Sequence, residues 1–364
     1  MSELLTPALA STTTGLPVLD LRRLHGPERP VLLDELRRAA RDVGFFVVTG
    51  HGVDPALEAS LDETVRRFFA LPVAERRAIE NTGSPHFRGY SRVGTEQTGG
   101  AADQREQIDV GPEREPLPRT PGDPAWTGLV GPNRWPSAVP GLRTAVLAWQ
   151  AEALRVSREI LRALAESLGH PADHFDRWFD DESHLHLKVI HYPGGTASRQ
   201  GVGAHKDYGF LALLHQDAVG GLAVQLPDAA EGTPGAWIDA TPVPGGYVVN
   251  IGEMLEIATR GYLTATRHRV TSPAAGVDRY SVAFFLGPRL DAVVEPLTLP
   301  AHLVAELGDT YDPDAWDPAH DPDNPLHAAY GDNAVRGWVR SHPEVARRWG
   351  WTGAGTRRTY PPRP

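Results

Sequence analysis

The sequence contains no cysteine among its 364 residues. This absence excludes disulfide bonds, thiolate metal ligands and cysteine nucleophiles. No apolar run approaches the roughly 20 residues of a membrane-spanning helix. The N-terminus also lacks the basic stretch and apolar core of a secretory leader. We therefore expect a cytoplasmic protein without a membrane partner.

Positive charge is scarce relative to negative charge. The chain has 36 Lys and Arg against 46 Asp and Glu, which gives a formal net charge of −10. Because an acidic surface repels phosphate backbones, nucleic acid is not expected as a partner. The apolar and charged fractions, 41% and 23%, are those of ordinary soluble proteins, and the length suffices for a large buried core.

The pattern of the chain changes near residue 184. Before it, apolar residues at helical spacing predict helices over 30–42, 54–70 and 140–168, and residues 81–137 predict long loops. After it, segments rich in Val, Leu, Ile and aromatics predict strands at 185–192, 209–216, 221–225, 245–251, 265–270, 279–286 and 291–295. Regular short strands favour a β-sandwich or barrel, of which the jelly roll is one kind.

No linker-like stretch separates the helices from the strands, so we expect a single domain over 1–364. Its predicted parts are an N-terminal helical and loop region (1–183), a catalytic core (184–296) and a C-terminal loop and helix (297–364). Residues 326–345 predict that final helix. The loops at 81–137 and 308–325 are expected to shape the pocket.

The segment Gly203-Ala-His205-Lys-Asp207 carries the first candidate metal ligands. Residues two apart on an extended segment point to one face, so His205 and Asp207 can aim at one point. Their third partner is His268, several predicted strands later. Two histidines and one carboxylate on one face leave three coordination positions open, an arrangement associated with non-haem Fe(II) oxygenases.

A His-x-Asp pair is weak evidence by itself, because it is frequent on turns and the chain has 15 histidines. Arg279 and Ser281 strengthen it. They share one face of the strand predicted at 279–286, and a guanidinium with a hydroxyl can clamp a carboxylate. Both faces of that strand are otherwise apolar, so it is predicted to be central, where an unpaired Arg would be costly.

The order His-x-Asp, His-Arg-Val, Arg-x-Ser resembles the isopenicillin N synthase-like branch of the 2-oxoglutarate/Fe(II) dioxygenases. The resemblance covers nearly the whole chain. Other segments resemble the family's N-terminal region, pre-core loop, strand end and turns: Leu16-Pro-Val-Leu-Asp20, Gly44-Phe-Phe-Val-Val-Thr-Gly-His-Gly-Val53, Phe87-Arg-Gly-Tyr90, Tyr192-Pro193, Gly220-Gly-Leu and Asn250-Ile-Gly-Glu253.

The resemblance implies a fold and a site. The fold would be α+β, mainly β, with a double-stranded β-helix (jelly-roll) core flanked by N-terminal helices and a C-terminal helix. The implied Fe(II) ligands are His205, Asp207 and His268, and the distal carboxylate of the co-substrate 2-oxoglutarate would be held by Arg279, Ser281 and Tyr192.

The resemblance also implies a reaction. With O2, such an enzyme oxidises an unactivated C–H bond of a small molecule by hydroxylation, desaturation or cyclisation, and releases succinate and CO2. Specialised metabolism is the expected setting. Asp207 argues against halogenation, because halogenating members replace this carboxylate ligand to admit chloride.

Two positions depart from the family pattern. Many plant members have Asn two residues before the tyrosine, where this chain has Ile190. An Asp often follows the Asn-x-Gly turn, where this chain has Glu253. Neither position belongs to the metal triad, but Ile190 leaves open how the keto-acid end of 2-oxoglutarate is held.

Arg88 and Tyr90 are candidate substrate contacts. Arg88 with Tyr90 could orient a substrate carboxylate at the pocket mouth, as the matching region does in family members that act on peptides. Alternatively, Arg88 is a loop residue in a salt bridge with Glu106 or Asp103.

Phe210 and Phe285 are further substrate candidates, although core packing is the more common fate of such residues. Lys188 shares a strand face with Tyr192 and could reach an anionic ligand. Extension into solvent is the more common behaviour of lysine.

Two other functions stay open. A keto-acid-independent Fe(II) oxidase of the same fold would take all four electrons from its substrate and would retain the Arg279 and Ser281 pair. A non-catalytic relative would use the metal only for binding, although an intact triad argues against it. The chain is expected to be a monomer or a homodimer.

Overall fold

The computed structural model describes residues 15–196, 198–227, 235–308, 311 and 326–351. Most of the loop predicted at 308–325 lies outside these residues. The helices in the described ranges are α1 (Arg29–Asp42), α2 (Pro55–Phe69), α3 (Val73–Arg77), α4 (Gly141–Ser167), α5 (Glu253–Ala258), α6 (Ala301–Ala305), α7 (Tyr330–Ser341) and α8 (Pro343–Arg348). None of these helices is long and apolar enough to cross a membrane.

The strands form two larger sheets and a small hairpin. In the described ranges they are β1 (Val18–Asp20), β2 (Phe45–Thr49), β3 (Gly89–Ser91), β4 (Gln97–Thr98), β5 (Ala101–Ala102), β6 (Glu106–Val110), β7 (Ser183–Tyr192), β8 (Gln200–His205), β9 (Leu211–Gln216), β10 (Leu222–Gln225), β11 (Trp237–Asp239), β12 (Tyr247–Ile251), β13 (His268–Thr271) and β14 (Arg279–Arg289). The large sheet has the order β1-β2-β12-β9-β14-β7-β6-β3, the small sheet β11-β10-β13-β8, and β4 pairs with β5.

The two larger sheets face each other and form the jelly-roll core. A hydrophobic cluster between them joins Phe45 and Val248 of the large sheet to Val202, Leu222 and Val270 of the small one. The alternating apolar residues of these strands explain the arrangement, because each strand turns one set of side chains inward. The fold class predicted from the sequence is confirmed.

Helices cover the other face of the large sheet. Trp149 of α4 is fully buried and donates a hydrogen bond to the Tyr247 hydroxyl of β12 (3.1 Å). The large sheet is therefore buried on both faces, which accounts for its nearly continuous apolar strands. The strand that begins at Arg279 lies between β9 and β7, so its predicted central position is confirmed.

Two of the predicted elements differ from the structure. The helix predicted at 326–345 is divided at His342, between α7 and α8. Pro343 explains this, because a residue that precedes proline is pushed out of the helical region, and His342 has φ −122° and ψ 64°. The strand predicted at 291–295 is wrong: this segment contributes only an isolated bridge from Val293 to Ala329.

The inner face of the large sheet, meaning the face turned toward the small sheet, carries the polar residues that matter below. Directly opposed residues on neighbouring strands share a face, so the register identifies its members. The polar ones include Gln107 and Asp109 (β6), His186, Lys188 and Tyr192 (β7), Gln216 (β9), Asn250 (β12), and Arg279 and Ser281 (β14).

Candidate active site

The three predicted metal ligands meet between the two sheets. His205 ends β8, His268 begins β13, and the two are directly opposed across the strand pair. Asp207 follows in the loop, with its Oδ1 3.6 Å from His205 Nε2 and its Oδ2 3.7 Å from His268 Nε2. One potential ligand atom from each residue lies within 4.8 Å of the others. This arrangement can face a single metal ion from one side.

Hydrogen bonds fix the tautomer of both imidazoles. Nδ1 of His205 is 2.8 Å from the Gly203 carbonyl oxygen, and Nδ1 of His268 is 3.2 Å from that of Thr266. Because each Nδ1–H donates to a carbonyl two residues earlier, each Nε2 presents its lone pair to the centre of the triad. Burial lowers the pKa of His268 to about 4, which favours the neutral form that binds metals.

The Asp207 carboxylate is held by residues outside the triad. Asn250 Nδ2 of β12 donates to Oδ2 of Asp207 (2.9 Å), and the Glu253 N–H donates to the Asp207 carbonyl oxygen (2.8 Å). Burial opposes the negative charge, but His268 and His205 hold the pKa of Asp207 well below its usual range. The carboxylate is therefore ionised and oriented for a cation.

Removing the Asn250 contact should weaken metal binding. In the Asn250→Leu variant, Asp207 loses its side-chain donor, so the Kd for Fe(II) should rise by about 10- to 100-fold, as for other groups that orient metal ligands. Anaerobic calorimetric titration with Fe(II) measures the effect. Val248→Ala, on the same face of β12, is the matched control and should leave the Kd unchanged; equal Kd values in the two variants would contradict the role of Asn250.

An irregularity in β8 turns His205 inward. The opposed pairs are His268 with His205 and Val270 with Val202, so β8 spans three residues where β13 spans two. This is the effect of a β-bulge, which adds one residue to one strand. Gly203 permits a close approach here, because a Cβ on it would lie 3.0 Å from the Thr98 carbonyl oxygen.

Arg279 is buried among polar side chains on the inner face of the large sheet. Its guanidinium donates to Ser281 Oγ (3.3 Å) and Gln216 Oε1 (2.9 Å) and lies 4.7 Å from the centre of the Tyr192 ring. Arg279 Nε and Gln216 Nε2 are buried without a hydrogen-bond partner in the described ranges. Among the described residues, no carboxylate forms an ion pair with Arg279. A buried guanidinium beside a free amide donor fits a carboxylate ligand.

A buried ion cluster continues along the inner face. We use this name for Glu96, Arg105, Asp109, His186, Lys188 and His342. Lys188 Nζ lies 2.8 Å from Asp109 Oδ1 and 3.0 Å from Glu96 Oε1, and His186 Nε2 and His342 Nε2 lie 3.1 and 3.3 Å from the Asp109 carboxylate. The expectation that Lys188 extends into solvent is wrong, because Asp109 stands directly opposite it on β6.

Arg88 and Tyr90 are both buried. Arg88 donates to the carbonyl oxygens of His86 and Leu129, each at 3.2 Å, and its Nε has no partner in the part of the chain that the structure describes. Burial lowers the pKa of Arg88 to about 10. The alternative of a salt bridge to Glu106 or Asp103 is wrong. Glu106 is instead paired with Arg76 and accepts a hydrogen bond from the Tyr90 hydroxyl.

The two phenylalanine candidates lie on different sides of the large sheet. Phe285 is on the inner face, and its ring stacks on His186 with centroids 5.2 Å apart. Phe210 is fully buried among Phe175, Trp178 and Phe179. Phe210 is therefore a core residue, whereas Phe285 faces the site.

Several polar neighbours of the triad are not identifiable from sequence motifs. Gln216 and Asn250 each come from a strand distant in sequence, and only strand register brings them to Arg279 and Asp207. Tyr208 follows the triad aspartate, and its hydroxyl forms no hydrogen bond with a described residue. In the sequence, only its position directly after Asp207 could have identified it as a neighbour of the triad. Asn250 had a signal as well, because a polar side chain interrupts an apolar strand.

Both halves of the chain match known families. Residues 16–138 match the family described as non-haem dioxygenase in morphine synthesis N-terminal, and residues 183–288 match the 2OG-Fe(II) oxygenase superfamily. A 2-oxoglutarate-dependent dioxygenase of Dothideomycetidae sp. (strain 11243) is 34% identical, with 92% of each chain covered. The chain belongs to the 2OG-Fe(II) oxygenase superfamily.

Other relatives of this 2OG-Fe(II) oxygenase have named substrates or bound ligands. A homoarginine-6-hydroxylase of Arabidopsis thaliana is 34% identical, covering 80% of this chain and 90% of its own. A full-length Neurospora crassa protein, solved in complex with alpha-KG and 5-formyluracil, is 25% identical with a TM-score of 0.68, covering 95% and 99%. JOX2 in complex with 2OG, Fe and JA is 27% identical with a TM-score of 0.66, covering 94% and 91%.

Membership fixes the cofactors. This 2OG-Fe(II) oxygenase uses Fe(II), 2-oxoglutarate and O2. The residues present fit that set: a His-Asp-His cluster suits Fe(II), and the buried guanidinium of Arg279 beside the unpartnered Nε2 of Gln216 suits a dicarboxylate.

Proposed function

We propose that His205, Asp207 and His268 hold Fe(II) and that Arg279, Ser281 and Tyr192 hold the distal carboxylate of 2-oxoglutarate. The convergence of three ligand atoms within 4.8 Å carries the first assignment. The second is supported by the absence, among the described residues, of a carboxylate partner for Arg279, and by its contacts with Ser281 and the Tyr192 ring. Both groups lie on strands that face the same space between the sheets.

When bound, Fe(II) and 2-oxoglutarate with O2 supply the oxidation of a substrate C–H bond, with release of succinate and CO2. The chain's own residues position these reactants. Asp207 and the two imidazoles would hold the metal, and Arg279 would neutralise the distal carboxylate of the co-substrate. Ala283 and Phe285, on the inner face beyond Ser281, keep that space apolar.

We propose further that the substrate is a small polar molecule. Across from Ala283 and Phe285 the inner face carries Lys188 and His186 of β7, and Asp109 stands opposite Lys188 on β6. The Tyr208 hydroxyl forms no hydrogen bond with a described residue. Such groups favour ligands that offer hydrogen-bond partners over hydrocarbon ligands. Two relatives support this, one named for homoarginine and one solved with 5-formyluracil.

Substrate-dependent succinate formation tests this function. Purified protein with Fe(II), ascorbate and 2-oxoglutarate should release one succinate per oxidised product, and release should increase with amino acids or nucleobases more than with fatty acids. Mass spectrometry of the product and quantification of succinate measure both. Turnover without succinate would instead identify a keto-acid-independent oxidase. Neither product nor succinate with any compound would indicate a non-catalytic relative.

The organisation of the chain is also a proposal. One hydrophobic cluster contains Leu19 of the N-terminal region, Leu213 of the jelly roll and Val345 of the C-terminal region, which supports a single domain. We propose in addition that the protein acts in the cytoplasm as a monomer or a homodimer.

A further inference from the structure

Arg105 lies just before β6, where the strand register continues to the tyrosine of the co-substrate site. Glu106 opposes His191 and Gln107 opposes Ile190, so in an antiparallel pair Arg105 stands opposite Tyr192. Directly opposed residues share a face. Arg105 therefore belongs to the inner face on the same level as Tyr192, and β7 separates it from Arg279, which opposes Tyr192 from the other side.

Only some of the N–H groups of the Arg105 guanidinium have partners among the residues described. Its Nη2 lies 3.0 Å from Glu96 Oε2 and 3.5 Å from Asp103 Oδ2. Its Nε is buried and has no partner among the residues described. A buried N–H without a hydrogen-bond acceptor destabilises the protein, so a ligand that supplies an acceptor is favoured at this position. The two acids keep the guanidinium in place while this N–H stays available.

A chain of polar contacts joins Arg105 to the first histidine of the triad. Asp103 connects the two structurally, because its Oδ1 accepts the Gly203 N–H at 3.2 Å, and the Gly203 carbonyl accepts from His205 Nδ1. Arg105 is thus linked to His205 through Asp103 and Gly203.

The sequence departs from its family at the matching place. Ile190 is buried on the inner face, between Tyr192 and Lys188, and its apolar side chain offers no hydrogen bond. A keto acid held by Arg279 and the triad would lie near this position. Its metal-facing carboxylate then needs a donor from a neighbouring strand. On the β6 side, Gln107 stands opposite Ile190, but its Nε2 already donates to Asp109. Arg105, two residues earlier on the same face, has an unpartnered Nε–H among the residues described.

We propose that Arg105 binds 2-oxoglutarate directly and donates its Nε–H to the carboxylate at the keto-acid end, the contact that Ile190 cannot make. This inference rests on the proposed function of the site. Arg105 and Arg279 then bind opposite ends of one dianion. The Glu96 and Asp103 carboxylates, which share the Arg105 guanidinium, position it and keep it charged.

The binding of 2-oxoglutarate, measured without turnover, tests this role. The visible charge-transfer band of the Fe(II)–2-oxoglutarate chelate, titrated anaerobically, gives the Kd. A double variant, Arg105→Met with Glu96→Gln, removes the donor without leaving the Glu96 carboxylate buried and charged. Its Kd for 2-oxoglutarate should rise by about 10- to 100-fold, as expected for one charge-assisted hydrogen bond. The Kd for Fe(II) alone should stay within about twofold of the wild-type value, because no metal ligand is changed.

Two further variants separate binding from structure. Arg105→Lys retains the positive charge but lacks the Nε–H, so it should also bind 2-oxoglutarate more weakly. Arg76→Met is the matched control, because Arg76 is a similarly buried arginine that pairs with Glu106 on the opposite face of β6. It should lower the melting temperature without changing the Kd for 2-oxoglutarate.

The outcomes distinguish this inference from the function on which it rests. If wild-type protein shows no charge-transfer band, the proposed co-substrate site itself is wrong. If the wild type shows the band and the double variant or Arg105→Lys binds 2-oxoglutarate as tightly as the wild type, Arg105 is not a ligand. An equal weakening in Arg76→Met would likewise overturn the proposal, because it would show a general effect of stability.

Discussion

Iron binding should be lost in the His268→Ala variant. The imidazole supplies one of three ligand atoms, and Phe45 packs edge-on against its ring with centroids 5.1 Å apart. Alanine therefore leaves an apolar cavity beside Phe45. A water molecule there would not replace the imidazole as a strong metal ligand. With two ligands left, bound iron should fall below detection and succinate formation should cease. Metal analysis after gel filtration and the succinate assay measure these two effects.

A second histidine provides the control for this loss. His215 of β9 points to the other face of the large sheet and pairs with Asp62 of α2, with Nε2 and Oδ1 3.0 Å apart. His215→Ala removes an imidazole of similar burial without approaching the triad, so iron content should stay at the wild-type level. Full activity and full iron content in His268→Ala would show that the metal ligands are assigned incorrectly.

The Arg279→Ala variant should bind 2-oxoglutarate far more weakly while it still binds iron. Alanine removes the guanidinium that contacts Ser281, Gln216 and the ring of Tyr192. Loss of one partner of a buried charge pair costs about 2–5 kcal/mol, so the Kd for 2-oxoglutarate should rise by about 30-fold or more. Titration of the charge-transfer band under anaerobic conditions measures the Kd.

Arg289 is the matched residue for this experiment. It ends the same strand, β14, but is half-buried at the surface and pairs with Asp180 and Asp291. Arg289→Ala should leave the affinity for 2-oxoglutarate unchanged. If Arg279→Ala instead weakened iron binding as strongly as co-substrate binding, Arg279 would support the metal site and not the keto acid.

The structural positions of residues that belong to short sequence patterns could be predicted from the sequence. Arg279 and Ser281 alternate on an apolar strand, which predicted both their shared face and the central position of that strand. His205 and Asp207 were predicted to converge, although the strand ends at His205 and Asp207 lies in the loop. Helices with a clear apolar stripe, such as α4, were also predicted to within a few residues.

The remainder depends on contacts between distant segments. The sequence alone predicts a solvent-exposed Lys188, and only β6, which brings Asp109 opposite it, explains its burial. Arg88 resembles an ordinary loop residue in the sequence, yet it is 1% exposed. Burial of both is decided by elements packed from elsewhere in the chain, and a single sequence contains no periodic signal for such pairing. The same holds for Arg105, whose position relative to Tyr192 follows only from the register of β6 and β7.

The extra residue in β8 has a consequence for how this iron site tolerates insertions and deletions. Val202 and His205 both point inward although they are three residues apart. Deleting Ala204 would leave them two apart, and a regular strand would still direct the histidine to the iron. Deleting Arg269 from the partner strand would bring His268 next to Val270 in sequence, and a regular strand would turn one of the two outward. A one-residue deletion should therefore be tolerated in β8 and should disrupt the metal site when it is made in β13.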